Sequence, residues 1–170
     1  YACLPFTMRN TDIVIIGAGP IGIELAVALK DAGLDYLHLE AGQIGATMQW
    51  WAPGTKYFSS PERIEIAGVP LIVEDEEKAN REHYLNYLRT VVGTFNLDIE
   101  TYTRVMRIDK DTDGFTLHTA RSFHGVGGKE ELSFDPSTLD DLEPIRARRI
   151  VLAIGDMHLP RMLGIPGEDL

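Results

Sequence analysis

Cysteine is almost missing from this 170-residue chain, with Cys3 the one example. It has no partner for an internal disulfide, and no CxxC or Cys/His cluster has the spacing of a zinc site. A disulfide scaffold and a structural zinc centre are both excluded, and a reducing, cytoplasmic location is the expectation. Basic residues are scarce too: 16 Lys and Arg stand against 26 Asp and Glu, a net charge of −10. That sign is wrong for neutralising nucleic-acid phosphates or docking on an anionic membrane. Nor is there a run of about 18 apolar residues, as a membrane-spanning helix needs; Gly17, Gly19, Gly22 and Glu24 interrupt the longest one. Internal repeats are absent. What is present, 44% hydrophobic and 25% charged residues, is the composition of a folded globular chain of about one domain. The chain begins at Tyr1, with neither the basic start nor the length of a signal peptide, and stops at Leu170 just after a Pro-Gly turn signal. A fragment of a longer protein is therefore expected.

Residues 12–16 form a short β-branched run ending at Gly17, the pattern of a central parallel strand buried on both faces. Residues 20–32 read as a helix with Ile21, Leu25, Ala28 and Leu29 at helical spacing and Gly33 as the stop. Residues 35–40 alternate, Tyr36 and His38 against Leu37 and Leu39, and close a βαβ unit of roughly 30 residues. Regular periodicity lapses over 42–70, a Gly-, Pro-, Ser- and aromatic-rich stretch whose length points to a functional loop. A helix resumes over 78–95, with Tyr84, Leu88, Val91, Val92 and Phe95 on the stripe expected to pack on the sheet. After a brief strand at 97–100, residues 102–108 and 114–123 alternate across Asp111-Thr112-Asp113-Gly114, a hairpin signal. A third piece at 130–134 extends this antiparallel meander, an acidic loop covers 135–144, and a buried strand spans 149–154.

The sharpest chemical signal is Gly17-Ala18-Gly19-Pro20-Ile21-Gly22, followed by Glu40 at the end of the next strand. A lone GxGxxG is weak, but here strand, helix and acid are all in place. Gly17 makes the tight turn, Gly19 lets a pyrophosphate approach the backbone, and Gly22 allows close packing of helix on strand. The diphosphate would sit on free N–H groups at the helix start. Glu40 would accept hydrogen bonds from the ribose hydroxyls and repel a 2′-phosphate, which suits FAD or NAD over NADP.

A plain NAD domain continues with further βα units, whereas here a meander intervenes. With these motifs the chain resembles, over nearly its whole length, the FAD domain of flavoproteins with two dinucleotide-binding domains. These are the pyridine-nucleotide-dependent disulfide reductases, the thioredoxin-reductase-like proteins and the flavin-containing monooxygenases. Tyr57-Phe58-Ser59-Ser60-Pro61-Glu62 and Ile66-Ala67-Gly68-Val69-Pro70 are most similar to the bacillithiol disulfide reductase branch. A second family motif, a strand ending in Ala-Thr-Gly, is matched by Ala153-Ile154-Gly155, with isoleucine in place of threonine, followed by Pro160 and Ile165-Pro166-Gly167. In the family this turn passes close to the flavin, and losing the hydroxyl removes one polar contact.

The resemblance implies an α/β, Rossmann-like FAD/NAD(P)-binding fold, a parallel sheet with helices plus an antiparallel meander. It implies that residues 1–170 are the N-terminal segment of the FAD domain, with the NAD(P)H domain and C-terminal FAD segment absent. The intact protein would be an FAD-dependent NAD(P)H oxidoreductase, with a low-molecular-weight thiol or disulfide as candidate substrate and a homo-oligomer as candidate assembly. Monooxygenation and non-catalytic flavin or nucleotide binding are the alternatives, and the fragment alone is expected to be inactive. The expected cofactor-binding residues are Gly17, Ala18, Gly19, Pro20, Ile21, Gly22, Glu40, Ala41, Gly42, Gln49, Trp50, Val105 (the family's adenine contact), Ala153 and Gly155. No catalytic residue and no metal ligand is assigned.

Other residues have plainer readings. Gln49-Trp50-Trp51 either brings an amide near the flavin ring or forms an aromatic lid on the loop. Ser59 and Ser60 are read as caps of a short helix beginning at Pro61. His38, His83, His118, His124 and His158 show no metal or triad spacing and are read as structural or exposed. Residues 125–129 look superficially like a phosphate loop, but no Ser or Thr follows Lys129, and a hairpin is the better reading. Arg146, Arg148 and Arg149 are expected to flank the start of a strand.

Overall fold

The β-branched residues of β1 (Arg9–Ile16) place it inside a five-stranded mixed sheet with β2 (Tyr36–Leu39), β3 (Thr103–Lys110), β4 (Phe115–Arg121) and β5 (Ile145–Leu152), in the order β2-β1-β5-β4-β3. Its neighbours β2 and β5 both run parallel to it, with Ile16 opposite Leu39 on one side and Leu152 on the other. The computed structural model describes residues 8–74, 77–121, 144–157 and 163–166. The expected strand at 130–134, the turn at 125–129, the loop at 135–143, Cys3, His124, His158, Pro160 and Gly167 lie outside the described residues.

The helix α1 (Pro20–Asp31) joins β1 to β2, with Pro20 in its first turn and Gly33 left-handed beyond its end, at φ +66. Its buried face differs from the expected stripe. Gly22, Ile23, Ala26 and Val27 face the core, Leu25 and Leu29 are half-buried beside it, and Ile21 is 67% exposed. Apolar residues occur around most of this helix, so periodicity alone leaves its rotation open. The face with Gly22 turns inward because only a residue without a β-carbon fits there.

The long helix α4 (Arg81–Thr94) starts three residues later than periodicity indicates, at a capping box. The Asn80 side chain accepts from the His83 N–H at 2.8 Å, and the His83 ring stands against the Asn80 N–H. This satisfies two of the orphan donors of a helix start. The helix packs on α1 and on the one-turn helix α2 (Ala46–Gln49), instead of on the sheet alone. Tyr84, Leu88 and Val91 share a core cluster with Ile15 of β1 and with Ile23 and Val27 of α1.

On the other face of β1, Val14 and Ile16 form a second cluster with Leu39, Leu117 and Ile145. Leu117 comes from the hairpin of β3 (Thr103–Lys110) and β4 (Phe115–Arg121), and half-buried Val105, Ile108 and Phe115 join the same cluster. β4 pairs only with the beginning of β5, from Phe115 opposite Ala147 to Leu117 opposite Ile145. The hairpin thereby covers one face of the parallel strands while the helices cover the other. Its turn is tied by Asp111, whose Oδ1 accepts from the N–H groups of Asp113 and Gly114 at 2.8 and 3.1 Å.

Three further expectations are corrected. Arg146, Arg148 and Arg149 are the second, fourth and fifth residues of β5, inside the strand instead of flanking its start. There Arg146 makes two 2.6 Å hydrogen bonds to Asp111, and Arg148 meets Asp12 at 3.3 Å. Ser60 does hold the N-cap position of the short helix α3 (Pro61–Ile64), but makes no capping bond, because its hydroxyl bonds the Glu62 carboxylate instead. The strand expected at 97–100 is a single parallel bridge from Glu100 to Leu39.

Candidate functional site

Beyond Ile16 the ladder of β1 gives way to the glycine turn, where β1, β2, β5 and α1 meet. Gly17 donates to the Leu39 carbonyl at 2.7 Å, and Ala153, just after β5, donates to the Ile16 carbonyl at 2.8 Å. Gly17 has φ +109, and a β-carbon on it would overlap the Ala153 carbonyl oxygen. One on Gly22 would overlap the Gly17 carbonyl oxygen. These two glycines are therefore required by the protein's own packing.

Gly19 is different. A β-carbon there would meet nothing within 4 Å among the described residues, so the absence of a side chain leaves open space over the turn. Gly19 is also the N-cap of α1, which has no side-chain cap and no acidic residue in its first turn. The helix start thus keeps orphan N–H donors beside a bare approach, the donor set that suits a diphosphate.

Glu40 is 8% exposed, and its two carboxylate oxygens reach different loops. Oε2 accepts from the Ala18 N–H at 2.6 Å and Oε1 from the Gly42 N–H at 2.7 Å. The main chain around it is held as well, with Glu40 donating to the Glu100 carbonyl at 3.0 Å and Tyr102 donating to the Gly42 carbonyl at 3.1 Å. Gly45 donates to the Ala18 carbonyl at 3.0 Å. Gly17, Ala18, Glu40, Ala41 and Gly42 are therefore brought together at one end of the sheet. Each carboxylate oxygen keeps a second acceptor site for a ligand hydroxyl.

The loop after Gly42 is held by a residue that sequence reading passed over. Arg81, at the first position of α4, donates through Nη1 to the carbonyls of Gln49 and Trp51 at 3.2 and 2.5 Å. Its neighbour Glu82 accepts from the Gly54 N–H at 3.1 Å. The tandem tryptophans then divide. Trp51 leads a run of rings through Tyr57, Tyr84 and Tyr87, with centroids 5.3, 4.7 and 5.6 Å apart in turn, while Trp50 is 55% exposed. The Gln49 amide stands 3.4 Å from the Gln43 side-chain oxygen. Aromatic packing is thus the role of Trp51, and Gln49 and Trp50 are the pair left near the surface. Burial pushes the phenol pKa values of Tyr57, Tyr84 and Tyr87 upward, so these rings stay neutral.

Of the remaining expected residues, Ala153 abuts Gly17, and Gly155 follows it with φ +67 and open space where a β-carbon would point. Ile154, where the family motif has threonine, is 54% exposed. Val105 lies in β3 beside a bulge, half-buried in the second cluster. Of the two readings of His38, structural or exposed, the structural one holds: it is 1% exposed, with Nε2 2.8 Å from the Gly17 carbonyl oxygen. Only its position in an alternating strand next to the glycine motif could have told the two apart. Among the described residues no group of three or more His, Cys, Asp or Glu is arranged to hold a metal ion, and no helix is long and apolar enough to cross a membrane.

Residues 14–124 match the family model described as pyridine nucleotide-disulphide oxidoreductase. The chain belongs to that family. Among curated members it is 28% identical to the bacilliredoxin reductase Bdr of Bacillus subtilis, over 96% of this chain and 44% of that protein. It is 29% identical to the FAD-binding monooxygenase hmp7 of Hypomyces subiculosus, over 93% of this chain and 24% of that protein. Among solved structures, the bacillithiol disulfide reductase Bdr from Bacillus cereus superposes with a TM-score of 0.79 at 29% identity, covering 95% of this chain and 45% of that one. This family chain therefore spans less than half the length of these relatives.

Proposed function

We propose that this chain supplies the FAD-binding turn of a flavin-dependent NAD(P)H oxidoreductase that acts on a low-molecular-weight disulfide. The observation that carries the reading is the contrast within one motif: Gly17 and Gly22 are closed by protein atoms, while Gly19 opens onto space. Gly19 and Ile21 would bind the diphosphate on main-chain N–H groups, Pro20 between them would hold the first turn of the helix in place without donating, and Glu40 would orient the ribose. Gln49, Trp50, Ala153 and Gly155 would border the isoalloxazine, and Val105 the adenine. An acidic protein can hold an anionic cofactor in this way because backbone dipoles, not lysines, provide the positive field. When bound, FAD would supply hydride acceptance from NAD(P)H, and the hydride equivalent with one further proton would reduce one disulfide to two thiols, releasing NAD(P)+. The chain's own part is to bind and orient. The likeness to bacilliredoxin reductase and to bacillithiol disulfide reductase favours the disulfide as acceptor, and a cytoplasmic location belongs to the same reading.

Adding NADPH to the whole protein without oxygen tests this proposal through the flavin spectrum. Bleaching followed by recovery on addition of a low-molecular-weight disulfide is the expected result. Recovery only with oxygen and an organic substrate would instead select monooxygenation, which the likeness to a monooxygenase keeps as the second reading. A flavin that never bleaches would identify a binding module and overturn the enzyme reading.

A further inference from the structure

His38 is buried with an unused nitrogen. A carbonyl oxygen can only accept, so the 2.8 Å contact with Gly17 places the ring proton on Nε2. Nδ1 is then a bare acceptor, buried without a partner among the described residues. Leaving such an atom unpaired is costly, which asks what the other nitrogen achieves.

The peptide group that His38 touches is also held by Glu40. The Gly17 carbonyl and the Ala18 N–H belong to one rigid plane. His38 donates to its oxygen, while Glu40 accepts from its N–H at 2.6 Å. Both side chains come from the same stretch of chain, two residues apart, at the end of β2. Gly22 makes room for this arrangement, because a β-carbon there would overlap the Gly17 oxygen and lie 3.2 Å from His38 Nε2. Gly17, at φ +109, gives the plane little resistance to rotation by itself. We propose that His38 is a positioning residue: its Nε2–H locks the Gly17–Ala18 peptide plane and so sets the direction of the turn that receives the diphosphate of a dinucleotide.

This role rests on the FAD-binding reading, and its test separates the two. In the whole protein, His38→Leu keeps an apolar side chain of similar size but has no donor. His38→Gln places an amide N–H at the reach of Nε2, and His38→Asn places one only at the reach of Nδ1. FAD dissociation constants, measured by flavin fluorescence on the apoprotein, are expected to rise about tenfold for the leucine and asparagine variants, the loss of one buried hydrogen bond. The glutamine variant should stay within about threefold of the wild type. Equal affinity in the wild type and the leucine variant would overturn the positioning role alone, whereas a wild type that takes up no FAD overturns the parent reading and this role together. Should the leucine variant fail to fold, equal weakening by glutamine and asparagine overturns the role, and rescue by glutamine alone supports it. Nitrogen NMR of the His38 ring adds a readout that needs no flavin. Protonation at Nε2 between pH 7 and 8 is expected, and protonation at Nδ1 contradicts the proposal.

Discussion

The carbonyl oxygen of Ala153 occupies the space that a β-carbon on Gly17 would fill. The opposite condition holds two residues later, where a β-carbon on Gly19 would touch none of the described residues. The same substitution at the two positions should therefore fail in different ways. Gly17→Ala forces φ +109 on a residue with a side chain and pushes against backbone, so it should destabilise the fold by about 3 kcal/mol or more. Gly19→Ala has ordinary extended backbone, φ −81 and ψ −176, and should cost no more than about 1 kcal/mol as a weaker N-cap. Its defect should instead be in FAD affinity. Urea unfolding together with FAD titration of the whole protein checks both, and a Gly19→Ala protein with unchanged FAD affinity would count against a diphosphate at this turn.

Glu40 should combine the two defects. Its carboxylate already accepts from Ala18 and Gly42, so Glu40→Ala leaves two buried N–H groups without that partner. A loss of roughly 1.5–3 kcal/mol in unfolding free energy is expected, in addition to weaker FAD binding. Glu40→Gln should lose less stability, since the amide oxygen can still serve one of the two donors. If calorimetry finds both variants as stable as the wild type, the bridge between the loops has no structural weight.

Arg81 fastens the loop that carries Gln49 and Trp50 to the start of α4. Replacing it with methionine keeps much of the stem but removes the donors, and should cost about 1.5–3 kcal/mol of stability. Hydrogen exchange should speed up over residues 49–57 while α1 stays protected. Uniform acceleration through both regions would mean that Arg81 supports the fold as a whole, not this loop in particular.

The hairpin turn should contribute to the acid limb of stability. Asp111 is lowered to a pKa of about 2, chiefly by its hydrogen bonds from Arg146, with help from the Asp113 N–H. A carboxyl depressed on folding stabilises fully above its unfolded value of 3.8 and loses that contribution as pH falls towards 2. Arg146→Gln should therefore flatten the fall across that interval by lowering stability at neutrality towards its acid value, a modest loss because the pair is exposed. Acid unfolding curves of the two proteins would settle the point, with superimposable limbs as the contrary result.

Local chemistry is what sequence reading captured. The tight turn at Gly17 and the close packing at Gly22 are legible in the glycine spacing, and Asp111 with Gly114 marks the hairpin, because such preferences act over a few residues. The rotation of α1 is not legible in the sequence because Ile21, Leu25, Ala28 and Leu29 form as apolar a stripe as Gly22, Ile23, Ala26 and Val27. Contact with the Gly17 carbonyl and with the core chose between them. The Ser60 hydroxyl likewise had two nearby partners, and the Glu62 carboxylate prevailed over the backbone.

The parallel βαβ unit, the glycine turn and the acid beyond it are written in the sequence alone, since each depends on neighbours within about thirty residues. Tertiary structure alone decided that Ala153 closes over Gly17, that Arg81 ties down a loop some thirty residues earlier, and that His38 and Glu40 hold one peptide plane from its two edges. Those relationships depend on which strand tips and helix ends share a volume, and packing sets that only when the whole sheet has formed.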